Sequence, residues 1–296
     1  RHTRSLCDWS SDVCSSDLAK PNMYKLSGSS SVGSFGWAGV ENDENIHGYR
    51  SIAVPGSVAG LLEAHKSYGT LPLKEVVAPA VKLAREGFSP EWFTLYKLGS
   101  LTEMLLRYKE LGNTFMSNGS LPYGNIDSPY LLKQQNLAEV LEIIGREGAK
   151  AFYRGDVTKS IVKDIRENGG ILSMEDFEQY RPSRWEHGLE FKYRGKIIRV
   201  PPYASAGITS GMTLKMLDRF DIKAMGHNSA EMLHTYISAA RLAYADRFQY
   251  IADPEHADVP WNGLMSDAYT ERRSASIELN QIQNIKPGNP WLEEGR

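Results

Sequence analysis

Cysteine is nearly absent from this chain: Cys7 and Cys14 are the only two among 296 residues. Both stand in an N-terminal stretch unlike the rest. Arg1-His2-Thr3-Arg4 and then Asp8-Trp9-Ser10-Ser11-Asp12-Val13-Cys14-Ser15-Ser16-Asp17-Leu18 resemble the in-frame translation of a sequencing adapter. Residues 1–18 are therefore expected to be a disordered artefact, to be left out of fold reasoning. Setting them aside moves the formal net charge from -2 to about -1 and removes every cysteine. A disulfide scaffold, a Cys-ligated zinc and a thiol nucleophile are then excluded. Long apolar runs are also missing, none approaching the roughly 20 residues that span a bilayer. Lys and Arg are scattered, which leaves no electrostatic footprint for nucleic acid or an anionic membrane.

Chemistry-bearing motifs are scarce as well. His47, His65, His187, His227, His234 and His256 form no H-E-x-x-H and no His/Cys ligand spacing, so no metal is expected. The Gly/Ser-rich run Ser27 to Gly36 carries neither a P-loop ending nor G-x-G-x-x-G and reads as loop; no cofactor is expected. Ser205 and Ser210 lie between a strand and a helix. The glycine that a G-x-S-x-G elbow needs before Ser205 is missing, and Pro201-Pro202 stands upstream instead. The carboxylate pairs Glu175/Asp176, Asp253/Glu255 and Glu293/Glu294 read as a cap, a turn and a solvated tail.

What is present is helical periodicity. Val54-Pro55-Gly56 is a turn, with Gly56 free to take positive φ, and Ser57 is placed to cap a helix carrying Val58, Leu61, Leu62 and Ala64. Leu73 to Glu86 predicts a helix through Val76, Val77, Ala80, Val81 and Ala84, closed by Gly87, with Pro79 as a kink or an early break. Further helices are predicted over Asn136–Ile144 and Asp156–Glu167, the latter closed by Gly169-Gly170. A short one capped from Ser173 ends near Tyr180. Leu189, Phe191 and Tyr193 alternate with charged residues, and Arg194-Gly195 turns the chain into the return strand Lys196–Val200. A helix after Gly207 carries Met212, Leu214, Met216 and Leu217. The longest helix starts at a capping box over Asn228–Glu231. It is predicted to bury Met232, Leu233, Tyr236, Ile237, Ala240, Ala243, Tyr244 and Phe248, and to end at Asp253-Pro254. One more helix covers Ser266–Ser274, before a polar tail. The fold class is α/β (α+β), helix-rich, with too few strands for an independent sheet.

Several runs resemble the large subunit of the γ-glutamyltransferase (glutathione hydrolase) family. They are Val54-Pro55-Gly56-Ser57-Val58-Ala59-Gly60, Tyr68-Gly69-Thr70-Leu71-Pro72-Leu73, and Val77 through Phe88. Then come Ala151-Phe152-Tyr153-Arg154-Gly155, Asn168-Gly169-Gly170, Asp176-Phe177, Tyr193-Arg194-Gly195 and Pro201-Pro202. Ala243-Tyr244-Ala245-Asp246-Arg247, Asp253-Pro254 and Val259-Pro260-Trp261 complete the set. Order and spacing agree from Ala19 to Arg296, so residues 19–296 are expected to form a partial large-subunit domain.

The resemblance implies part of an N-terminal-nucleophile hydrolase αββα sandwich, incomplete here. It implies a precursor that cuts itself into two subunits. The new N-terminal Thr of the small subunit attacks a γ-glutamyl amide, with its own amine as base and backbone donors holding the oxyanion. The implied partners are that small subunit, as a heterodimer, and small γ-glutamyl molecules such as glutathione. A periplasmic or secreted location follows from the family alone.

No catalytic residue is expected in this chain. The Thr-Thr-His run is expected beyond Arg296, and the family arginine that grips the substrate carboxylate is expected before Ala19. The family's Pro-Pro-Pro-Ser-Ser-Gly-Gly segment is altered to Pro201-Pro202-Tyr203-Ala204-Ser205-Ala206-Gly207, a loop expected to border the active-site region. The chain alone is therefore expected to be inactive. The alternatives are a related acylase or amidohydrolase, a non-catalytic helical binding protein, and a serine hydrolase using Ser205.

Overall fold

A computed structural model describes residues 22–30, 38–124, 127–182, 188–201, 205–252 and 257–296. The adapter-like residues 1–18, most of the Ser27–Gly36 loop, His187, His256, the Asp253/Glu255 pair and Pro202 through Ala204 lie outside them. The chain divides into two compact units, the first spanning Tyr24–Pro182.

In that unit, strands β1 (Leu26–Ser30) and β2 (Ala38–Val40) pair antiparallel. Helices α1 (Ser57–Tyr68), α2 (Leu73–Glu86), α3 (Trp92–Ser100), α4 (Thr102–Arg107) and α5 (Lys109–Phe115) follow. Then come α6 (Gln135–Glu147), α7 (Ala149–Arg154), α8 (Asp156–Glu167) and α9 (Met174–Gln179). The core joins Val54, Ala59, Ile144, Phe152, Tyr153, Val162, Ile165, Leu172 and Phe177. Its polar fastening is Tyr153, whose hydroxyl donates to the Pro55 carbonyl and accepts from the Ala59 amide at 3.1 Å. One phenol thus satisfies both an upstream carbonyl and a first-turn donor of α1.

Helices α2 and α8 have the predicted limits, and α9 carries a capping box between Ser173 and Asp176. Other expectations are corrected. Ser57 is the first residue of α1 rather than its cap, which is Gly56. Gly56 has φ -81°, so it is not there for positive φ. A Cβ at Gly56 would collide with the Tyr180 hydroxyl and come within 3.0 Å of its Cζ, so close approach is what requires glycine. Helix α2 continues through Pro79 instead of breaking. Glu75 and Pro79 are both exposed, so the carbonyl that loses its N–H partner meets water. The face of α2 that packs on α6 is Val77, Val81 and Ala84 against Ala138 and Leu141, while Val76 is 47% exposed.

The second unit, residues 188–296, begins with the hairpin of β3 (Leu189–Tyr193) and β4 (Lys196–Val200), in the expected register. Arg194 and Gly195 have φ 48° and 72°, the backbone of a tight two-residue turn. Helices α10 (Ala206–Leu217), α11 (Ile222–Met225), α12 (Ala230–Tyr250), α13 (Trp261–Met265) and α14 (Asp267–Ala275) follow. The core is Ile208, Met212, Met216 and Leu217 with Ala239, Leu242, Ala243, Leu264 and Tyr269. The α12 cap is Ser229, which accepts from the Met232 amide at 3.1 Å, in place of the expected box from Asn228.

The predicted buried face of α12 is overturned at four of its eight positions, and only Ala243 is fully buried. Thr235, Ser238, Ala239, Leu242, Ala243, Asp246 and Arg247 are buried. Leu233, Tyr236, Ile237 and Tyr244 are 41–51% exposed. Most of the large apolar residues lie on one side of this helix and the small ones on another, so periodicity of the large ones points to the wrong face. Small and hydroxyl-bearing residues let α10 approach closely, and Thr235 returns its proton to the Glu231 carbonyl at 2.8 Å. Among the described residues no helix is long and apolar enough to cross a membrane.

Candidate functional site

Two adjacent charged residues sit on the buried face of α12, where a helix in contact with a core ordinarily carries none. Arg247, 7% exposed, donates from Nη1 to the Ser205 carbonyl at 3.1 Å and to the Thr209 hydroxyl at 3.2 Å. It thereby holds the start of α10, next to the altered proline-rich loop. Asp246, with a side chain 1% exposed, faces Arg273 of α14, which donates from Nε and Nη2 to its two oxygens at 3.0 Å each. The Gly288 amide donates to Asp246 Oδ1 at 2.8 Å. Arg273 Nη2 also reaches the carbonyls of Lys286, at 3.0 Å, and Leu242, at 3.2 Å. Tyr250 donates its hydroxyl to the Gly288 carbonyl.

The electrostatics follow from the burial. Desolvation raises the Asp246 carboxyl above the ordinary aspartate range, outweighing the Gly288 amide and the Arg273 charge. Tyr269, whose hydroxyl is buried without a hydrogen-bond partner of good geometry, is pushed well above the usual tyrosine value. Burial is the main cause and the Asp246 charge the second.

The remaining expected features fall elsewhere. Ser205 caps α10: its hydroxyl accepts from the Gly207 amide at 3.1 Å and donates to the Pro201 carbonyl at 2.7 Å, which is not the setting of an activated nucleophile. His65 meets the Leu71 carbonyl at 2.9 Å and His234 the Glu278 carbonyl at 2.8 Å. Among the described residues no three His, Cys, Asp or Glu side chains converge as metal ligands would. The Glu175/Asp176 pair contributes the α9 cap. The Glu293/Glu294 pair corrects the expectation of a solvated tail: Glu293 pairs with Arg272, and Glu294 accepts from the Gly263 amide at 3.0 Å.

The Asp246–Arg273 cluster was missed from sequence. Its signal was a charged dipeptide amid apolar residues in Ala243–Arg247, which alone has no means of naming a partner 27 residues away. The arrangement holds irregular segments in place, and it presents no acid, base or nucleophile to a substrate.

The described residues superpose on a solved gamma-glutamyltranspeptidase, which makes this fold the helix-rich part of an N-terminal-nucleophile hydrolase. The model of the gamma-glutamyltranspeptidase family matches residues 19–294, and the chain belongs to that family of enzymes. It is 33% identical over 253 residues to a glutathione hydrolase proenzyme of Escherichia coli (strain K12), covering 84% of this chain and 43% of the relative. It is 34% identical over 248 residues to an acylase ACY 1 proenzyme of Pseudomonas sp. (strain V22), covering 83% and 43%. The crystal structure of Helicobacter pylori gamma-glutamyltranspeptidase superposes with a TM-score of 0.82 at 31% identity, over 93% of this chain and 76% of that one. The chain thus spans less than half the length of the curated relatives it matches.

Proposed function

We propose that this chain is the scaffold portion of an enzyme precursor that hydrolyses or transfers γ-glutamyl amides through an N-terminal Thr carried on sequence outside it. The observation that carries this reading is a family match along nearly the whole chain that covers only 43% of the relatives. The exposed apolar side of α12 supports it. Leu233, Tyr236, Ile237 and Tyr244 are what a helix presents when further sequence of its own protein packs there. In this reading the partner is the small subunit released by self-cleavage, and the substrates are small γ-glutamyl compounds such as glutathione. The family match, beginning at residue 19, also supports the reading of residues 1–18 as no part of the family protein.

A second reading, an acylase acting on other amides, is favoured by the 34% identity to the ACY 1 proenzyme. The test has two arms. Purified chain should release no chromophore from a γ-glutamyl anilide, whereas the whole precursor, expressed from the source DNA, should cleave itself and then do so. Turnover by the isolated chain, or a stop codon directly after Arg296 in high-quality DNA, would remove the main support. A mature enzyme that prefers glutaryl or cephalosporin side-chain amides would select the acylase reading.

A further inference from the structure

The segment from Lys286 to Arg296 is mostly irregular, with a single 3-10 turn over Pro290–Glu294, yet it is fastened along its whole length. Arg273 donates to the Lys286 carbonyl, and Asp246 accepts from the Gly288 amide. Asn289 accepts from the Trp291 amide at 3.2 Å, starting the turn, and Pro290 is buried. Glu293 pairs with Arg272, and Glu294 accepts from the Gly263 amide. Arg296 pairs with Asp258 and lies 5.0 Å over the Trp291 ring. Ordinary surface coil has no need of this. Loops are held mainly by their ends and carry more mobility than the elements they join. Here a buried carboxylate and a partly buried guanidinium, both costly to desolvate, are placed against one backbone amide and one carbonyl of the segment. A buried charge pair is weak evidence for added stability, and its best-attested use is to specify one arrangement over its neighbours.

We propose that Asp246 and Arg273 are positioning residues for self-cleavage of the precursor, fixing the path and register of residues 286–296 so that the chain following them is delivered in one geometry. The inference rests on the precursor reading above. It adds to it that the buried pair acts on the maturation step through the Gly288 amide and the Lys286 carbonyl, without touching the reacting atoms. An intramolecular cleavage is sensitive to small misplacement, since a displacement of about 1 Å can cost about 100-fold in rate. A segment fastened in this manner limits such displacement.

The experiment uses the full-length precursor. Asp246→Asn removes the charge that Arg273 faces at nearly constant volume, and Gly288→Ala drives a Cβ into the Tyr269 hydroxyl and pushes the segment off its seat. Self-cleavage is followed on denaturing gels. Folding is checked by far-UV circular dichroism and thermal midpoint, and kcat per cleaved molecule is measured after prolonged incubation. The expected result is a cleavage half-time lengthened at least 10-fold in both folded variants, with kcat per cleaved molecule reduced by a much smaller factor. General loosening of the fold would lower both together. Cleavage at the wild-type rate in either folded variant, or equal loss of cleavage and kcat, overturns the proposal. Should Asp246→Asn fail to fold, Gly288→Ala alone decides it. A wild-type precursor that neither cleaves nor turns over substrate would instead sink the functional reading, which keeps the two failures apart.

Discussion

The two units of this chain hold themselves together by different means. In Tyr24–Pro182 the core is apolar and its buried carboxylate, Asp176, serves only the local α9 cap, while the long-range polar fastening is one neutral phenol, Tyr153, bridging the Pro55 carbonyl and the Ala59 amide. In residues 188–296 an apolar core is joined by a buried ion pair that reaches into irregular chain. The first arrangement is tolerant, because a neutral hydroxyl left unpaired costs about 1–3 kcal/mol. The second is all or nothing, because a stranded buried charge costs more and cannot be rehydrated without opening the core. The difference suits a helical layer in one case and a segment that has to run along a single path in the other.

That contrast can be broken by single substitutions. The largest effect is expected for Asp246→Ala, about 3 kcal/mol of stability in urea titrations, since the partly buried Arg273 loses its charge partner and the Gly288 amide its acceptor. Replacing both, Asp246→Leu with Arg273→Met, should cost less than either single change; equal or larger loss would show that the ion pair itself stabilises. Gly56→Ala should cost about 1–3 kcal/mol by overpacking against Tyr180. Hydrogen exchange should place that loss in the first unit, and Tyr180→Phe in the same chain should recover part of it. Tyr153→Phe strands the Ala59 amide and the Pro55 carbonyl and should cost about 1–2 kcal/mol, again confined to the first unit. A loss matching that of Asp246→Ala would erase the contrast.

The smallest effect is one of charge at the surface of the second unit. Lys215 of α10 donates to Asp267 of α14 and holds that carboxyl below the ordinary aspartate value. A depressed folded pKa stabilises at pH above the unfolded value of about 3.9 and loses that contribution as pH falls through the folded value. With Asp267 86% exposed, the worth is well under about 1 kcal/mol. Lys215→Met should return the Asp267 titration, followed by NMR, to the ordinary range.

Legibility in the sequence followed a physical rule. Where one local signal sufficed, the reading held: Ser173 with Asp176 began α9, the alternation in Leu189–Tyr193 marked β3, and Arg194-Gly195 marked its turn. Where two signals competed, it failed. Helix α12 is weakly amphipathic, and most of its large apolar residues mark a different side from the small ones that permit close packing. Helices α3 to α5 passed unread. Among them only Leu105 is buried, so they carry no clear buried stripe. The role of Gly56 lay in the nearness of Tyr180, 124 positions on, and no turn rule contains that. The site was the least legible part, because its residues hold backbone groups, and backbone groups leave no mark in a sequence.

The bond from the Gly288 amide to Asp246 spans 42 residues, whereas Arg194 of the hairpin meets Asp218 at the end of α10 across only 24. On a ribosome adding about 5–20 residues per second, the hairpin and its helix can settle seconds before Gly288 emerges. Until then Asp246 lacks one of its donors, and burying it is unfavourable. The second unit therefore completes its core only after residue 288 has emerged, and its moment of closure is set by the arrival of one glycine.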